Sequence, residues 1–100
     1  MRSKPLLFHP EAIAEAEAAR EWYAERSLWA AEEFLKELER ALDSLAESPN
    51  RWPLYLGQTR RIPLRRFPFF VIYRDAPDRI EIIAIAHGRR RPGYWRTRVR

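Results

Sequence analysis

Two apolar runs rich in β-branched and aromatic residues, Phe67–Tyr73 and Ile80–Ala86, flank the polar connector Asp75-Ala76-Pro77-Asp78. Runs of this length around a turn-prone tetrapeptide predict an antiparallel hairpin, Phe67–Arg74 with Arg79–His87. That hairpin commits the chain to a sheet. Its second strand ends on His87 and runs into Gly88-Arg89-Arg90-Arg91-Pro92-Gly93-Tyr94-Trp95. An imidazole, several guanidiniums, a phenol and an indole are thereby delivered to one end of the sheet. Strict alternation puts Ile80, Ile82, Ala84 and Ala86 on one face and Ile83, Ile85 and His87 on the other, with Glu81 near the start. A sheet with one wet face alternates apolar with polar. This strand is apolar on both faces, so its second face must be covered, by the chain's own loops and tail or by another protein.

The rest of the chain supplies a helical layer. Leu6–His9 reads as a short first strand. Pro10 then stands where a first helical residue often does, and Glu11, Glu15 and Glu17 suit the positive end of a helix. Ala12, Ile13, Ala16, Ala19 and Tyr23 recur at helical spacing and predict a helix over Pro10–Ala24. After Glu25-Arg26-Ser27, a second helix shows the stripe Ala31, Phe34, Leu35, Leu38, Ala41, Leu42 and Leu45. Its solvated face is read as Glu32, Glu33, Lys36, Glu37, Glu39, Arg40 and Asp43. Ser48-Pro49-Asn50 ends it, and the short link between the helices makes them an antiparallel pair. Leucines at this spacing are core positions far more often than a zipper. A turn-rich loop, Asn50–Gln58, leads to a strand over Thr59–Leu64, whose Pro63 favours an edge position or an early end. The segment after Gly93 is compatible with a short helix or an extended tail. The expected fold is α+β, in the order β-α-α-β-β-β, with a helical hairpin on a small, mainly antiparallel sheet. One hundred residues make a single domain, 1–100.

Composition narrows the chemistry. The chain has no cysteine, which removes disulfides and thiolate catalysis. No apolar run approaches a membrane span, Met1-Arg2-Ser3-Lys4-Pro5 does not read as a secretory signal, and a cytoplasmic protein is expected. Residues 1–50 carry six Lys/Arg against eleven Asp/Glu; residues 51–100 carry thirteen Arg, no Lys and three acids. An Arg-rich genome would explain the choice of Arg over Lys, but not this segregation. A cationic face for a polyanion or an acidic partner would.

Such a face can serve a phosphodiester. Cleavage through a ribose 2′-hydroxyl needs a base, cationic donors for the developing charge, and an acid for the leaving oxygen. His87 can be base or acid, Arg61, Arg65, Arg89 and Arg90 can clamp phosphate, and Tyr94 can donate a proton or stack on a base, as can Trp95. The plain alternatives are a structural histidine at a strand end, a solvated basic surface, and a Tyr94-Trp95 pair that closes the core. His9 and His87 are isolated, so no metal site or other cofactor is implied.

The order of strand, acidic helical hairpin, Trp-Pro loop and Arg-rich strand, with Trp22-Tyr23, Leu64-Arg65-Arg66-Phe67-Pro68-Phe69 and Ala86-His87-Gly88-Arg89-Arg90, resembles the RelE/ParE superfamily of type II toxin–antitoxin toxins, often labelled plasmid stabilisation proteins. The resemblance spans nearly the whole chain. It implies a growth-inhibiting toxin neutralised by a cognate antitoxin in a hetero-oligomer, with an antitoxin helix in a groove beside the hairpin or a strand added to a sheet edge. RelE-like members cut mRNA on the ribosome; by position, the resemblance makes Arg61, Arg65, His87, Arg90 and Tyr94 the catalytic set. ParE-like members poison DNA gyrase and need no acid–base pair. The absence of lysine after Lys36, the separation of Tyr94 from His87 and the short His-Gly-Arg-Arg run favour the ParE branch, although Arg91 stands where that branch often has an acid. Arg60, Arg66, Arg89, Arg91 and Trp95 complete the residues expected to meet the target.

Overall fold

The computed structural model describes residues 4–99, so Met1-Arg2-Ser3 of the N-terminal reading lies outside the described residues. Strand β1 (Leu6–Phe8) is followed by helices α1 (Pro10–Ala24) and α2 (Leu28–Glu47), and then by β2 (Thr59–Pro63), β3 (Phe69–Asp75) and β4 (Ile80–His87). A single 3-10 turn, Arg96–Arg98, closes the chain. The sheet order is β1-β4-β3-β2, with β1 parallel to β4 and the other two pairs antiparallel. This is the expected α+β arrangement. Pro63 does sit on the edge strand β2, where its missing donor costs no ladder bond inside the sheet. No helix among the described residues is long and apolar enough to cross a membrane.

Local chemistry sets the helix limits. The Nδ1 of His9 accepts from the N–H of Glu11 at 3.0 Å and caps α1, with Pro10 in the first turn. Ser27 Oγ accepts from the N–H of Ala30 and caps α2. The two helices pack on one face of the sheet. There Phe34 lies among the rings of Tyr23, Phe67 and Phe69, with centroids 5.4–5.6 Å away, in a core that also holds Leu38, Leu45, Val71, Tyr73, Ile80, Ile82 and Ile85. The buried Tyr73 hydroxyl donates to the Pro49 carbonyl at 2.7 Å, and burial pushes its pKa up to about 12. Ile13, expected in the apolar stripe of α1, is 46 % exposed; Ala12, Ala16, Ala19 and Tyr23 make the face that packs on the core.

The strict alternation expected along β4 fails at one place. Ile72 pairs with Ala84 but Tyr73 pairs with Ile82, leaving Ile83 as an extra residue in a β-bulge. Ile80, Ile82 and Ile85 consequently face the helices, whereas Ile83, Ala84 and Ala86 face the opposite side. Beyond the bulge the parity is reversed, and His87 lies edge-on to Phe69 on the helical side.

The second face is covered by the chain itself. Tyr55 and Leu56 from the 50–58 loop, with Tyr94, Trp95 and Val99 from the tail, pack on Phe70, Ile72, Ile83, Ala84 and Ala86. Gly93 makes the tail's return possible. Its φ of 82° lies in the left-handed region, and a β-carbon there would sit 3.0 Å from the Arg96 side chain.

Phe34→Ala should therefore lower unfolding free energy in urea by about 3–5 kcal/mol. Trp29→Ala, at a side chain 64 % exposed on the same helix, should change it by less than about 0.5 kcal/mol. Equal losses in the two variants would contradict this core.

Candidate functional site

The end of the sheet where β4 stops and β3 begins carries a group of cations, with Arg61, Arg90 and Arg91 around one cleft. Gly88 N–H donates to the Pro68 carbonyl at 2.7 Å, tying the segment after β4 to the 64–68 loop. His87 Nδ1 accepts from the Arg89 N–H at 3.0 Å, which assigns the proton of the neutral ring to Nε2. A small cleft of about 50 Å³ on the tail side is lined by Arg61, His87, Arg90, Arg91, Tyr94 and Trp95, among others. A larger groove of about 430 Å³ opens between α1 and the sheet, with Ala18, Ala19, Trp22, Tyr23 and Phe69 as its apolar wall and His87, Arg90, Tyr94 and Glu15 at its polar end.

Arg61 and Arg90 are held by aromatic rings. The Arg61 guanidinium carbon lies 4.2 Å from the Tyr55 ring centroid and 4.6 Å from that of Phe70. Arg90 lies 3.8 Å from the centre of Tyr94. Arg89 and Arg91 are exposed. Arg61, His87, Arg90 and Tyr94 of the expected catalytic set thus meet around one cleft.

Other candidates sit elsewhere. Arg65 is exposed at the same end of the sheet but lines a different concavity, with Arg40, Ser44 and Trp52. Arg60 alternates to the other side of β2 from Arg61 and donates to the Trp52 carbonyl. Arg66 is engaged by two carboxylates, with Nε to Glu37 and Nη2 to Glu33. Trp95 is 2 % exposed in the tail-side core and has almost no surface to present to a target.

Two carboxylates that hold the site together look ordinary in the sequence. Glu37, assigned above to the solvated face of α2, is only 4 % exposed. Its Oε1 accepts from the N–H groups of Arg65 and Arg66 at 2.9 and 3.0 Å. The turn after β2 exposes those donors, and the carboxylate satisfies both, fixing the loop that carries Arg65. Glu15 on α1 accepts from the Ile85 N–H, the Tyr94 hydroxyl at 2.7 Å and both outer nitrogens of Arg98. Strand β1 pairs with β4 only as far as Ile82, and beyond it Glu15 takes the amide of Ile85 while anchoring the tail. The one sequence signal for Glu15 is its position on the alanine face of α1, between Ala12 and Ala19.

The protonation states follow from these contacts. Burial pushes the carboxyls of Glu15 and Glu37 upward. For Glu15 the hydrogen bonds from Arg98, Tyr94 and the Ile85 amide outweigh burial; for Glu37 those from the Arg66 amide and guanidinium and the Arg65 amide do so. Both end below their ordinary range. Tyr94 moves the other way, raised first by burial and then by donating to a carboxylate. Its proton is held tightly.

A family model described as the ParE toxin of the type II toxin–antitoxin system parDE matches residues 6–92. Among curated proteins, none matches the chain. Among solved structures, the fold is similar to one described as the chromosomal ParDE toxin–antitoxin system from P. aeruginosa. The TM-score is 0.69 at 23% identity, covering 85% of this chain and 96% of that chain; at that identity the likeness concerns the fold.

The lowered carboxyls predict acid sensitivity. Their contribution is present above the ordinary value of 4.5 and is lost as pH falls through the lower folded-state value, because the unfolded chain takes up protons first. A Glu15→Gln/Glu37→Gln variant should be less stable at neutral pH and show a shallower loss of thermal midpoint below about pH 4.5. The slope should not vanish, since Glu33 and Glu81 are lowered as well. Parallel curves for variant and parent would remove these two groups from the account.

Proposed function

We propose that this chain, which belongs to the ParE toxin family of type II toxin–antitoxin systems, inhibits growth by poisoning DNA gyrase and does no acid–base chemistry of its own. The observation that carries this reading is the engagement of Tyr94. A ribonuclease acting through the 2′-hydroxyl needs a base and a separate acid. The Tyr94 hydroxyl instead donates to Glu15 at 2.7 Å, with Arg98 behind the carboxylate. Its raised pKa makes it a poor acid at neutral pH. With Tyr94 engaged, the cleft offers His87 chiefly the guanidiniums of Arg61, Arg90 and Arg91 as neighbours. Binding surfaces remain, and a gyrase poison needs nothing more. Its place of action would be the cytoplasm.

A cognate antitoxin finds a suitable seat in the larger groove. The wall of Ala18, Ala19, Trp22, Tyr23 and Phe69 fits the apolar face of an amphipathic helix, and Arg90 at one end suits an acidic residue on it. Trp22 is half-exposed there, an aromatic anchor whose ring also carries the Arg26 guanidinium, 3.6 Å from its centroid. Occupation of this groove, next to Arg90, would also block the cationic end of the sheet, which gives neutralisation a physical basis.

The test uses the purified chain with gyrase and supercoiled plasmid. Trapped, cleaved DNA after detergent and protease treatment is the expected outcome, together with mRNA free of codon-specific cuts by primer extension after induction. Codon-specific cuts abolished by His87→Ala would replace this reading with a ribosome-dependent endoribonuclease. Unimpaired growth on induction of the folded protein would reduce it to a nontoxic nucleic-acid-binding module. Tyr94→Phe should retain gyrase poisoning while losing about 1–2 kcal/mol of stability from the unpaired side of Glu15.

A further inference from the structure

The arginines fall into two populations by their partners. Near the β3–β4 turn, Arg74 and Arg79 are neutralised by Glu81, with Asp78 on Arg79, and Lys4 pairs with Asp75. Those three acids are the only ones in the second half of the sequence. Toward the opposite end of β4, where the Arg61 side chain reaches the cleft from a mid-sheet position paired with Ile72, no ion pair to a carboxylate is found for Arg61, Arg89, Arg90 or Arg91 among the described residues. No carboxylate lines the cleft that Arg61, Arg90 and Arg91 share.

The shape of this lip selects among polyanions. Single-stranded nucleic acids are gripped by stacking bases on open aromatic faces. Here the rings of Tyr55, Phe70 and Tyr94 carry the guanidiniums of Arg61 and Arg90, and Trp95 is buried. The cleft between them, about 50 Å³, is too small for a base or a large side chain. An acidic protein partner has its apolar seat in the groove beside α1, at one end of which Arg90 stands; the tail-side cleft, at about 50 Å³, adds no second one. What is offered is fixed positive charge without a pocket, which suits a regular ladder of phosphates. We propose that the lip formed by Arg61, Arg90 and Arg91 binds the phosphodiester backbone of duplex DNA directly, without reading its sequence. This goes beyond an action on gyrase as a protein, and its measurement needs no gyrase.

The experiment is fluorescence anisotropy of the full chain with a labelled duplex of about 25 base pairs across ~50 to 300 mM salt. Three phosphate contacts predict a slope of log affinity against log salt of about −2.7, insensitive to sequence. Arg61→Gln/Arg90→Gln should reduce the magnitude of that slope by about 2, and Arg91→Gln, which stacks on no ring, by about 1. Arg20→Gln/Arg40→Gln on the helices removes the same charge as the first variant and should leave the slope unchanged. Thermal melts identify any variant that fails to fold, and Arg91→Gln keeps the test decisive if the double variant does. Equal losses from the helix and lip variants, absence of saturable binding at low salt, or tighter binding to single-stranded RNA than to the duplex would each overturn the proposal. Failure here with gyrase trapping intact would leave the gyrase reading standing; the reverse result would leave the DNA face standing alone.

Discussion

One extra residue in β4 decides which way the functional end of the sheet faces. With Ile83 left unpaired opposite the Ile72–Tyr73 step, the two halves of the strand have opposite parity. Ile80 and Ile82 bury against the helices, and so do Ile85 and His87, across an odd number of steps. Without the bulge His87 would turn to the tail side, and the large groove would lose its imidazole. Beyond Ile82, where the pairing with β1 stops, the amide of Ile85 donates to Glu15. The same carboxylate then takes the phenol of Tyr94 and the guanidinium of Arg98. The limit of β1 pairing, tail docking and the loss of a free acid at position 94 are thus one connected arrangement.

Glu37 plays the corresponding part on the other flank. A buried carboxylate is expensive unless its lone pairs are satisfied, and here two backbone amides and the Arg66 guanidinium satisfy them. The loop carrying Arg65 is pinned from its backbone, so that the Arg65 side chain stays exposed while its neighbour Arg66 is spent on ion pairs. Two adjacent arginines, alike in the sequence, end with different roles because only the Arg66 side chain pairs with the carboxylates of α2.

Periodicity and turn chemistry made both helices, the hairpin and the edge position of Pro63 legible in advance, since each depends on neighbours within a few residues. The parity reversal was not legible: Ile82-Ile83-Ala84-Ile85 is apolar throughout, and no polar residue marks which face any of them takes. Glu15 and Glu37 escaped for a related reason. A glutamate on a helix reads as solvated unless its long-range partners are known, and these partners lie 70 or more and 28 or more residues away. Cover for the second face was inferable as a necessity. Its source, the 50–58 loop with the tail, depended on the turn at Gly93.

The contrast between paired and unpaired arginines bears on how such a surface can act. An arginine already in an ion pair must give up that partner to bind another anion, and the exchange gains little. Arg61 and Arg90 have no such partner among the described residues, and stacking on rings has already reduced the side-chain freedom that binding would otherwise remove. Their charge is therefore available at low cost of ordering, next to a groove suited to a helix. An occupant of that groove carrying one acid beside Arg90 would change the potential of the whole lip, because no other carboxylate lines that cleft to compete with it. On the reading proposed above, inhibition and its relief would be two occupancies of adjacent surfaces that share the Arg90 guanidinium.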